Sequence, residues 1–189
     1  EFGRDQISDA ERATPERSRS QRLWGHPGIA PVSQLGSTPG SPLLCYRWED
    51  TDRALTDQLE LEAEGFGGTV EHGHAAIRFT NPTNAGDVLP TIRTEFHRVA
   101  PGTETAPVRQ TGSSVYQVFD GAGTVTVGDF SWSVTRGDLF VVPSWQPLSI
   151  RSEASASDSD SGALDLFRFS DAPIFERLDL ARTQTEGTI

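Results

Sequence analysis

At 189 residues the chain can bury one sizeable core and not two full ones. Its 27 acidic residues against 16 basic ones, a net charge of -11, disfavour nucleic acid and anionic membrane surfaces as partners. Every basic residue is Arg, Met is absent, and the one cysteine, Cys45, excludes an internal disulfide framework.

No apolar run reaches the length of a membrane span and no basic–apolar–small leader pattern opens the chain, so a cytoplasmic protein is expected. The chain opens Glu1-Phe2-Gly3 without Met, which reads as a fragment or a processed product. Residues 1–40 carry little periodicity and many breakers. Asp5 to Arg22 reads as a polar linker, and the Pro/Gly-interrupted run from Leu23 to Val32 as an extended arm packed on a neighbour. One helix is expected over 52–64, with Asp50 or Thr51 as N-cap, Gly65 closing it, and Leu55, Leu59 and Ala63 on one face. It would cover a sheet edge or barrel end.

After residue 74 the pattern changes to short β runs divided by turns. Strands are expected at Ala75–Thr80, Thr91–Val99, Ser114–Asp120, Thr124–Gly128, Phe130–Thr135, Leu139–Val142, Leu148–Ser152 and Leu164–Phe169. Gly121-Ala122-Gly123 and Gly128-Asp129 mark tight turns, and 18 Gly with 12 Pro suit such a chain. The Ser/Asp/Ala run between Ser152 and Gly162 offers nothing to bury and reads as a mobile surface loop. Short strands at this spacing predict a sandwich or a small barrel.

Two segments identify the barrel. One is Pro101-Gly102-Thr103-Glu104-Thr105-Ala106-Pro107-Val108-Arg109-Gln110-Thr111 with the later Asp120-Gly121-Ala122-Gly123; the other runs from Gly137 through Pro143-Ser144-Trp145-Gln146-Pro147. Together they resemble the two motifs of a cupin: an all-β, double-stranded β-helix or jelly-roll barrel, here with an N-terminal arm and one covering helix. Ser41-Pro42-Leu43-Leu44-Cys45-Tyr46-Arg47-Trp48-Glu49, Phe79-Thr80-Asn81-Pro82, Leu89-Pro90-Thr91 and Phe167-Arg168-Phe169-Ser170-Asp171-Ala172-Pro173 narrow the match. They are similar to the C-terminal cupin half of gentisate 1,2-dioxygenases and of relatives that cleave salicylate or hydroxynaphthoate. On that resemblance the chain divides into an arm or interdomain linker (1–40), a cupin barrel (41–182) and a C-terminal tail (183–189).

The resemblance implies a bicupin whose N-terminal barrel holds Fe(II) through three histidines, leaving coordination positions for an aromatic acid and O2. A metal-holding cupin places His-x-His after the Pro of the first motif and a third His after the second. Here those places carry Val108, Gln110 and Leu148, so no catalytic residue and no metal or other cofactor is expected in this chain. Its expected role is structural: support of the N-terminal cupin domain of the same protein and homo-oligomer contacts. The substrate-binding residues are left open. The alternative is a free-standing, metal-free cupin that binds a small organic acid or sugar.

Other candidates weigh less. His72-Gly73-His74 has a spacing that metal sites use, yet lies outside the cupin framework and reads as a polar loop; His97 reads as a surface or interface residue, and His26 as packed or hydrogen-bonded in the arm. Cys45 reads as a small buried hydrophobe, and Trp48, Trp132 and Trp145 as core or interface aromatics. Ser113 and Ser114 lack a nucleophile-elbow pattern, and Arg136-Gly137-Asp138 is a turn before a strand. Arg109, Gln110 and Gln117 are the polar residues expected at the barrel mouth.

Overall fold

The computed structural model describes residues 17–34, 36–153 and 162–185. Among the described residues, ten strands form two five-stranded antiparallel sheets. They are β1 (His74–Arg78), β2 (Arg93–Val99), β3 (Val108–Gln110), β4 (Ser114–Asp120), β5 (Ala122–Val127), β6 (Phe130–Thr135), β7 (Leu139–Val142), β8 (Leu148–Ser152), β9 (Leu164–Ser170) and β10 (Thr183–Thr185). One sheet runs β1-β2-β9-β4-β7 and the other β10-β3-β8-β5-β6. This is the expected all-β cupin architecture.

Strand alternation builds the interior. In β5 every second residue is buried, which places Val125 and Val127 inside, and β8 adds Ile150 from the same sheet. From the facing sheet come Val99, Tyr116, Val118, Phe140, Val142, Leu164 and Leu166, all in one buried cluster with Val134 of β6. At the β4–β5 corner Gly121 has φ +85, and a Cβ on Gly123 would meet the Arg151 carbonyl oxygen and the Leu164 side chain. Only glycine lets these backbones approach so closely.

The β1-β2-β9 end of the first sheet is buried on both faces. Residues of even and odd number on β2 divide between them: Glu95, His97 and Val99 face the barrel, while Phe96 and Arg98 face a helix, α2 (Trp48–Ala63). Leu55 and Leu59 of α2 pack on Ala75, Ile77, Phe79, Phe96 and Phe167, a second apolar cluster. The helix is pinned by Arg98, whose guanidinium forms a two-pronged contact with Asp165 (2.8 and 2.8 Å) and reaches Asp52 (2.8 Å) and Thr56 (3.1 Å) of α2.

Several boundaries differ from the sequence reading. Helix α2 starts at Trp48 with Arg47 as N-cap and no side-chain cap; Asp50 and Thr51 lie in its first turns, and Thr51 Oγ1 donates back to the Arg47 carbonyl. The supposed linker ends in a helix, α1 (Arg19–Trp24), because Ser18 and Gln21 close a capping box. Short strands β3 and β10 escaped notice. Three residues carry no periodicity, and β10 exists through its pairing with β3, Thr183 opposite Gln110 and Thr185 opposite Val108. The sheet therefore continues past the expected boundary at residue 182. Helix α3 (Ala172–Arg177), with Pro173 in its first turn, precedes β10. The loop expected to be mobile falls mostly on residues outside those described.

Candidate functional site

The barrel interior holds a cavity of about 140 Å³ between the sheets. Val108, Gln110 and Leu148 do come together at it: Val108 stands opposite Leu148 across β3 and β8, and all three line the wall. Neither Val108 nor Leu148 has an atom that can donate to a metal, and Gln110 Oε1 accepts from Arg168 at 2.7 Å. An Fe(II) triad does not fit those three places.

Arg168, on β9, is the cation at the centre. Its register sets it opposite Glu95 on β2 and Tyr116 on β4. It donates to Glu95 (2.7 Å), Gln110 (2.7 Å) and Ser114 Oγ (3.0 and 2.8 Å), and its guanidinium carbon lies 5.6 Å from the Tyr116 ring centroid. Burial works against ionisation of the Glu95 carboxyl, but the His97 ring and the Arg168 guanidinium outweigh it and hold its pKa down to about 2. Burial pushes the Tyr116 hydroxyl up, with Arg168 acting the other way.

His74 and His97 complete the polar interior, and both depart from their sequence reading. His74 is the first residue of β1 and not part of a polar loop; His97 is buried and not at the surface. The pairing of His74 with Val99, and of Ala76 with His97, makes them diagonal neighbours on one face, and their rings meet with His74 Nε2 and His97 Nδ1 3.0 Å apart. His72 points outward, 3.3 Å from Glu62, so His72 and His74, two positions apart in sequence, are split between surface and core. Burial, and then the neighbouring His97, push the His74 pKa down to about 3. Glu71 Oε1 lies 3.5 Å from His74 Nδ1, and Glu95 Oε2 lies 3.9 Å from His97 Nε2. Among the described residues no group of three or more His, Cys, Asp and Glu is arranged to hold a metal ion.

Of the polar residues expected at the mouth, Gln110 alone among Arg109, Gln110 and Gln117 lines this cavity; the other two alternate to the opposite faces of their strands. Ser114 is buried and serves Arg168. Cys45 is exposed and not a buried hydrophobe, because residues 43–47 run beside the barrel, outside both apolar clusters. Trp48, Trp132 and Trp145 are each more than a third exposed, and the buried tryptophan is Trp24. His26 lies exposed on a wide cleft of about 630 Å³ between the arm, α2 and β1, together with Trp24, Tyr46 and Phe79. The sequence did carry a signal for the missed residues: Glu95, His97 and Val99 share one parity on a strand, and so do Leu164, Leu166 and Arg168.

No family model matches the chain. It is 53% identical over 183 residues to a gentisate 1,2-dioxygenase of a Streptomyces species, a match covering 97% of this chain and 48% of the relative. This chain is a half-length homologue of the gentisate 1,2-dioxygenase family. A 5-aminosalicylate 1,2-dioxygenase of a Comamonas species is 33% identical over 145 residues, 76% of this chain and 35% of that one. Among solved structures, salicylate 1,2-dioxygenase from Pseudaminobacter salicylatoxidans superimposes with a TM-score of 0.86 at 54% identity, covering 93% of this chain and 48% of that one. The chain thus spans about half the length of the gentisate 1,2-dioxygenase relatives it matches.

Proposed function

We propose that this chain is the C-terminal supporting half of a gentisate 1,2-dioxygenase-like enzyme, and that the Fe(II)- and O2-dependent opening of a hydroxylated aromatic acid takes place in a partner barrel. The observation that carries this reading is the donor set at Val108, Gln110 and Leu148, where two side chains offer no donor and the third is engaged by Arg168. An enzyme of this class needs a metal with open positions for substrate and dioxygen. The residues of this barrel supply a fixed internal guanidinium in the place of one, and the exposed arm and cleft supply surface for a neighbouring barrel and for further copies. The similarity over nearly the whole chain to dioxygenases twice its length supports the division of labour.

An oxygen electrode tests it. Residues 1–189 supplied with Fe(II) and gentisate are expected to consume no oxygen and to form no ring-opened absorbance. Joined to a barrel that carries His-x-His, the same chain is expected to turn over, with activity unaffected by Val108→Ile. Iron-dependent turnover by residues 1–189 alone would overturn the proposal. A joined protein that stays inactive while this barrel binds an organic acid would favour a binding module.

A further inference from the structure

The imidazole pair in the barrel is one cation short. His74 and His97 are 7% and 8% exposed, and in a neutral pair one of the two facing nitrogens must donate to the other across the 3.0 Å gap. If His74 Nε2 carries that hydrogen, His74 Nδ1 is a bare lone pair turned toward the Glu71 carboxylate. If His97 Nδ1 carries it, His97 Nε2 is the bare lone pair, turned toward Glu95. Either tautomer sets a lone pair against a carboxylate. In agreement, His74 Nδ1 and His97 Nε2 are both buried without a hydrogen-bond partner among the described residues. Two carboxylates, Glu71 and Glu95, face the outer nitrogens of the pair, and only Glu95 is in direct contact with the Arg168 guanidinium.

A cation between the facing nitrogens removes the conflict. Both imidazoles then carry their hydrogens on the outer nitrogens, aimed at Glu71 and Glu95, and both inner lone pairs face the ion. Binding moves one ring hydrogen from the inner to the outer nitrogen of the same imidazole, so no proton need leave. Carboxylates behind metal-bound imidazoles are the usual arrangement that fixes tautomer and ring orientation. Two nitrogens bound at about 2.0–2.1 Å to one zinc-type ion stand about 2.9 Å apart at a right angle and about 3.4 Å apart at the tetrahedral angle. The observed 3.0 Å lies at the near end of that span. Glu71 is further held by the Ala106 amide (2.9 Å), and the adjoining cavity of about 140 Å³ has room for the waters that would fill the remaining positions.

We propose that His74 Nε2 and His97 Nδ1 form a two-imidazole site for a divalent ion of the zinc type, with Glu71 and Glu95 as positioning residues and cavity water as the other ligands. Imidazole selects late first-row ions over magnesium or calcium. The site is separate from the iron places at Val108, Gln110 and Leu148, and it stands whether or not a partner barrel performs the chemistry. Its role is non-redox, a bond between β1 and β2 inside the barrel.

Residues 1–189, freed of metal by a chelator, are titrated with Co(II) and with Zn(II). The expected result is one ion per chain, a saturable Co(II) visible band, and a thermal midpoint that rises with Zn(II). His72→Gln should leave all three unchanged, while His74→Gln and His97→Gln should abolish the band. Glu71→Gln, which keeps an acceptor for the Ala106 amide, should weaken binding about 10- to 100-fold. That variant keeps the test decisive if either histidine variant fails to fold. Absence of a saturable band in the unaltered chain, or a band that survives His74→Gln or depends on His72, would overturn the proposal. So would ring-proton NMR showing His74 and His97 sharing one added proton near neutral pH with no ion bound.

Discussion

Arg168 is the residue on which the interior turns, because it answers the Glu95 carboxylate, Gln110 and Ser114 at once. Arg168→Met would leave the Glu95 carboxylate buried without its guanidinium partner, and removing one partner of a buried pair costs about 3–5 kcal/mol. Urea unfolding should show that loss, and the double variant Arg168→Met/Glu95→Gln should recover part of it. Glu95 also sets an acid limb. Its folded pKa of about 2 lies below the usual glutamate value of about 4.3, so its contribution is present in full above about pH 4.3 and fades as pH falls toward 2. The stability gap between the unaltered chain and Glu95→Gln should narrow over that interval. Gly123→Ala is expected to cost about 1–3 kcal/mol, since its methyl group meets the Arg151 carbonyl and Leu164 with no room to relax.

At the scale of elements, α2 shows what was legible and what was not. Its existence followed from Leu55, Leu59 and the acidic first turn, but its start did not, because the N-cap Arg47 makes no side-chain capping bond that a sequence rule could find. What fixes the helix is a tertiary pair that the sequence separates by 67 positions, Arg98 with Asp165. Asp165 is nearly fully buried and Asp52 is about half exposed, so the two partners of one guanidinium are unequal. Asp165→Asn should cost about 3–5 kcal/mol, whereas Asp52→Asn should cost no more than about 1 kcal/mol. Thermal unfolding of the two variants side by side decides it.

For the whole molecule, both sheets contribute to one apolar cluster: Val118 and Leu166 from the first meet Val125 and Ile150 from the second. The second sheet keeps no core without the first, and the first shares its barrel face with the second, so the barrel should unfold in one step. Far-UV dichroism and tryptophan emission should give coincident denaturation curves, with Leu166→Ala shifting both together by about 2–5 kcal/mol. Separate transitions for the two signals would show that the arm around Trp24 or the helix α2 melts independently of the barrel.

By itself the sequence determined the class of fold, most of its strands, the glycine corners and which residue types stand at 108, 110 and 148. These depend on side-chain alternation, on turn chemistry and on residue identity, all of which are local. The tertiary structure decided which polar residues share an interior. His74 and His97 lie 23 positions apart, Glu95 and Arg168 73 apart, and only the register of β1, β2 and β9 brings them onto one face. His72 and His74 stand two positions apart yet divide between surface and core, while distant strand residues meet. Strand pairing, a long-range property, therefore settled where the charges of this barrel lie.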